Sequence, residues 1–181
     1  MRYAFFVSTL LTMSMCFHLH GQSLRKNGPV IEKFGGVYEV PDPDFEVSAT
    51  EELKVVFDVD QSTSEHQNLN PRINTAARFL NMHAQSGFST ENLKVTLVIH
   101  GAAYKDILND DAYKELFGTG NPNAKLIEAL DAAGVDIIIC GQTAAHRNID
   151  KTDALPQIQW ALSAMTVLIH LQNTGYRMIK F

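Results

Sequence analysis

Cysteine is scarce in this chain: Cys16 and Cys140 are the only two in 181 residues, and no CxxC pair occurs. That argues against a disulfide framework or a thiolate-rich metal centre, since both need several cysteines at short spacing. Lysine and arginine total 15 against 20 acidic residues, for a net charge of −5, and they form no cluster. Nucleic acid is therefore not an expected partner, because its backbone demands a concentrated positive face. HExxH, GxGxxG and a Walker A loop are also missing; GTGNPNAK at 118–125 bears glycine without the required spacing. No metal and no cofactor is called for. Nor does any apolar run reach the roughly 20 residues of a membrane-spanning helix.

The longest apolar run, residues 3–17, follows Arg2 and is interrupted only by Ser and Thr. Polar His18, His20 and Gln22 come directly after it. It reads as a signal peptide over 1–21, with small Gly21 near the cleavage point, although Leu19 fits its position less well. Lipoprotein processing at Cys16 is disfavoured by bulky Met15. The expectation is an exported, periplasmic protein whose only remaining thiol is Cys140 and which forms no internal disulfide.

Residues 22–50 carry Gly28, Pro29, Gly35, Gly36, Pro41 and Pro43 and read as an extended N-terminal arm. Val30, Ile31, Phe34, Val37, Tyr38, Val40 and Phe45 make it too apolar for a free linker, so it is expected to lie on its own domain or on a neighbouring subunit.

From residue 51 to 181 the periodicity alternates between strand and helix. Strands are read at 53–58 (LKVVFD), 93–100 (LKVTLVIH), 135–140 (VDIIIC), 158–162 and 176–179. Helices are read at 71–85, opened by Pro71 and closed by Gly87, then at 104–116, 123–133 and 142–148, and at 164–173 with Ser163 as N-cap. Apolar strand runs this dense belong to a parallel sheet covered on both faces. The reading is one α/β domain, a three-layer α/β/α with a five-stranded, mainly parallel sheet.

Ligands of open parallel sheets gather at the carboxyl ends of the strands. Those ends carry Asp58 and Asp60, His100-Gly101, Cys140-Gly141-Gln142 and Ser163. Asp58 reads more readily as a cap or turn residue than as a catalytic one. Cys140 ends an apolar strand and directly precedes a helix, where free N–H groups favour a thiolate. A free thiol has a pKa of about 8.5, so a drop of about two units would ionise most of it at neutral pH. Gly141 would leave the sulfur unshielded, while an inert packed cysteine is the competing reading, and position alone leaves both open. His100 is the candidate base or cation beside the thiolate; His146 sits on a short helix that can turn it to solvent.

The ordered motifs NP at Asn70-Pro71, ARFLN at 77–81, VIHG at 98–101, NPN at 121–123, CGQ at 140–142, SAMT at 163–166 and GY at Gly175-Tyr176 resemble the DsrE/DsrF-like family, in its exported branch, from Gly28 to Phe181. The resemblance implies a parallel five-stranded α/β/α domain, a homotrimer or homohexamer, and, at Cys140, a cysteine that carries sulfane sulfur as a persulfide between a donor and an acceptor. Cys140 and His100 are then the catalytic candidates, with Gly101, Gly141, Gln142, Ser163 and Asn121 expected to line the substrate crevice. The alternative is a non-enzymatic ligand-binding or assembly module in which Cys140 is structural.

Overall fold

The structure is a computed structural model that describes residues 24–181; the expected signal segment lies outside the described residues. Five strands, β1 (Leu53–Val59), β2 (Leu93–Ile99), β3 (Asp136–Cys140), β4 (Gln159–Ala161) and β5 (Arg177–Ile179), form one sheet in the order β4-β3-β2-β1-β5. Every pairing is parallel. The expected three-layer α/β/α architecture is thus observed. Between the strands run α1 (Pro71–Gln85), α2 (Asp110–Phe117), α3 (Ala124–Ala132), α4 (Gly141–His146) and α5 (Ala164–Asn173).

The strand order decides which face each helix covers. From β1 to β4 the chain steps steadily in one direction, so right-handed crossovers place the intervening helices on a single face. There Val55, Phe57, Val59, Val95, Leu97, Ile99, Ile137 and Ile139 meet Ile73, Ala77 and Leu80 of α1 and Leu126, Ile127 and Leu130 of α3. The step from β4 to β5 runs back across the sheet, so the same handedness puts α5 on the opposite face. That second core is small: Val56, Val98, Cys140, Ala164 and Val167. Only Ala164 and Val167 of α5 are buried, which for the valine is worth roughly 2 kcal/mol, whereas α1 buries five residues. Leu162, just before α5, and Met165 and Ile169 on it remain exposed.

The helix expected at 104–116 is two pieces, a 3-10 stretch Gly101–Ile107 and then α2. Leu108 leaves the helix to bridge Ala154, and the Asn109 side chain restarts it by accepting the Ala112 N–H at 2.9 Å. The short helix expected at 142–148 is α4, two residues shorter at its end.

The first half of the arm docks on α1. Buried Asn81 accepts the N–H groups of Val30 (3.1 Å) and Ile31 (2.8 Å) and donates to the carbonyls of Ile31, Phe34 and Gly35. Gly35, at φ 66°, lies so close to Ala77 that no side chain fits there. Beyond Val37 the contacts thin to a Lys26–Glu39 ion pair at 3.8 Å and the Asn92 side chain donating to the Thr50 carbonyl at 3.4 Å, and Tyr38, Val40, Phe45 and Val47 are exposed on the single chain.

Candidate functional site

β3 ends on Cys140, which is also the N-cap of α4, in extended backbone (φ −67°, ψ 114°). Because α5 starts immediately after β4, the neighbour of β3, the first turns of two helices converge on this one sulfur. Burial pushes the Cys140 thiol up, yet the backbone N–H groups of Ala164, Thr143 and Gln142 and the Thr143 hydroxyl outweigh it and hold the pKa below the usual thiol value. Cys140 is 6% exposed, in the smaller core with Val56 and Val98.

Gly141 has a different reason from the one expected. A Cβ there would sit 2.5 Å from the Ala161 carbonyl oxygen and 3.3 Å from that of Leu162, so glycine is what lets α4 start against the end of β4. Gln142 contributes its N–H to the sulfur while its side chain is exposed. Ser163 caps α5: its Oγ accepts the Thr166 N–H at 3.1 Å, which fixes the helix start whose Ala164 N–H serves the sulfur. Thr143, missed by sequence reasoning, both donates toward Cys140 and accepts the Gly101 N–H at 3.3 Å. Gly101 itself, at φ 56°, would place a Cβ 2.8 Å from the Asp60 carbonyl oxygen.

His100 extends β2 beside Cys140, since Ile99 is in register with Ile139. Its imidazole is engaged elsewhere: Nε2 lies 2.6 Å from Asp58 Oδ1. Lys180 Nζ holds the other Asp58 oxygen at 2.9 Å and Asp60 Oδ2 at 3.0 Å. Burial pushes the Asp60 carboxyl up, but Lys180 overcomes this and leaves it below the ordinary carboxylate range, while the two carboxylates raise Lys180. His146 is exposed.

Asn121 is employed away from the sulfur. Its carboxamide donates to the Asp106 and Leu108 carbonyls, and its Oδ1 accepts the Asn123 N–H. With Asn70, Asn123 and Ser62, which all donate to the buried Asp106 carboxylate, it builds a polar hub joining the loops before α1 and α3. Burial pushes the Asp106 carboxyl up, and these donors offset that only in part. The NP and NPN motifs therefore serve the scaffold.

Two concavities, about 230 and 570 Å³, lie along the arm, the first against Asn74 and the second against α3. Neither is lined by Cys140. Among the described residues there is no cluster of three metal-ligating side chains, and no helix is long and apolar enough to cross a membrane.

Comparison with known proteins places this geometry in a family. The profile described as DsrE/DsrF-like family matches residues 54–181, so the arm lies outside the match. No curated protein matches the chain. Among solved structures, a protein of unknown function from Methanobacterium thermoautotrophicum, MTH1491, is similar at 16% identity and TM-score 0.56. The ychN protein from E. coli is similar at 16% identity and TM-score 0.52. In both cases 71% of this chain covers 99% of the other, and the likeness is one of fold.

Proposed function

Because this chain belongs to the DsrE/DsrF-like family, we propose that it handles sulfur through Cys140, which takes up sulfane sulfur as a persulfide and passes it on. The observation that carries this reading is the set of N–H groups from two helix starts, with the Thr143 hydroxyl, around one lowered thiol. The thiolate pair forms an S–S bond to the outer sulfur of a persulfide or polysulfide, whose own S–S bond breaks and leaves the pair on the departing thiolate. Sulfur is exchanged without any outside oxidant, as suits a sulfurtransferase-like carrier. Thiol redox sensing would use the same lowered pKa.

The burial of Cys140 favours a second reading, a binding or assembly module in which the thiol is packed against Val56 and Val98. Labelling the native protein with a small alkylating reagent separates the two. A thiol that labels in the native state at neutral pH supports the carrier; one that labels only after denaturation supports the packed module.

Two further parts of the proposal concern setting. Leu162, Met165 and Ile169 leave an apolar stripe that suits assembly with copies of the same chain, as a homotrimer or homohexamer. Export to the periplasm rests on the apolar segment at 3–17 and its charged start at Arg2; an N-terminus of the purified native protein still at Met1 would contradict it.

A further inference from the structure

At the end of β1 lies a cluster of charges that the thiolate chemistry leaves unused. Asp58 is 8% exposed, and both its oxygens are taken, by His100 Nε2 at 2.6 Å and by Lys180 Nζ at 2.9 Å. It lies on the same sheet face as Val98, its register partner, and as His100 two residues further on. Cys140 shares that face, packed with Val98 in the smaller core. In this register His100 falls beside Cys140, one pleat beyond the row of Asp58, Val98 and Ile138, and its ring reaches back along the face to Asp58, so the imidazole links the carboxylate on β1 to the strand that ends on Cys140.

From this arrangement we infer that Asp58 is a positioning residue for His100, which acts as the proton carrier for Cys140. The inference rests on the sulfur-handling reading, since only a reacting thiol needs a proton acceptor beside it. A carboxylate accepts and does not donate, so the bond to Asp58 puts the proton on Nε2 and leaves Nδ1 of the neutral ring as an acceptor. Nδ1 takes the proton of the Cys140 thiol. The sulfur pair then forms the new S–S bond, the donor S–S bond breaks, and the imidazolium returns the same proton to the departing thiolate. Protons and electrons balance within the site. Lys180 keeps the second Asp58 oxygen occupied, so the carboxylate cannot swing away from the ring. The titratable and charged groups facing His100 are Asp58 from β1, Asp60 from the following loop, Lys180 after β5, and Cys140 from β3.

The test uses side-chain nitrogen NMR of His100 together with the rate of sulfur uptake from a polysulfide. Wild type should show the Nε2–H tautomer. Asp58→Asn should lose that preference and slow uptake on the order of 10-fold to 100-fold, part of the usual range of acid–base assistance. Asp58→Glu should recover some of both. An Nδ1–H tautomer in wild type overturns the inference even if the Asn variant does not fold. So does an Asp58→Asn protein with unchanged tautomer, rate and pH profile. If wild type takes up no sulfur, the carrier reading fails separately, and the positioning role is then judged on the tautomer and the pH profile of Cys140 alkylation.

Discussion

The N–H of Ala164, at the start of α5, serves the sulfur of Cys140, at the end of β3, although 24 positions separate them in sequence. A depressed thiol pKa in the fold makes stability depend on pH. The thiolate's contribution is full above the unfolded value of about 8.5 and is lost as pH falls through the lower folded value. The stability advantage of wild type over Cys140→Ser, read from urea midpoints between about pH 6 and about pH 9, should therefore grow with pH. A constant difference would mean that the surrounding N–H groups do not favour the anion.

At Gly141 the space is set by backbone, which cannot move aside as a flexible side chain can. Gly141→Ala brings a Cβ against the Ala161 carbonyl and should cost about 1–3 kcal/mol in denaturant unfolding. It should also slow Cys140 alkylation, because α4 must shift away from β4. A variant as stable and as reactive as wild type would contradict the close approach.

Much of the fold was legible because its strands are buried runs with breakers on either side. The 53–58, 93–100 and 135–140 readings match β1, β2 and β3 to within a residue or so, and Ser163 as N-cap correctly split β4 from α5. The strand-to-helix junction at Cys140 was legible, whereas its position alone left the reactive and the packed thiol equally open. Thr143, the Ala164 N–H and the pairing of Asp58 with His100 were not legible, because each depends on which strands become neighbours. The break at Leu108 was equally hidden, since a tertiary bridge to Ala154 overrides a continuous helical pattern.

Asn81 holds the arm through five hydrogen bonds. Asn81→Ala strands buried N–H and C=O groups and should cost on the order of 3 kcal/mol. Limited proteolysis should then cut between residues 28 and 37, a stretch protected in wild type. An arm that stays protected would show that its apolar contacts suffice.

Along α5, Ile169 is 60% exposed on a helix that buries little of its own surface. Ile169→Glu should reduce the mass seen by light scattering to that of a single chain while leaving the fold intact by circular dichroism. An unchanged mass would move any self-association to another surface.

The central claim is that Cys140 carries sulfur, and intact-mass analysis after incubation with a polysulfide or thiosulfate tests it most directly. Serine is nearly isosteric but does not ionise at neutral pH, so Cys140→Ser keeps the packing and removes the nucleophile. Wild type should gain the mass of one sulfur atom, reversibly by a thiol reductant, and Cys140→Ser should gain none. No gain in wild type, or an equal gain in Cys140→Ser, would contradict the account.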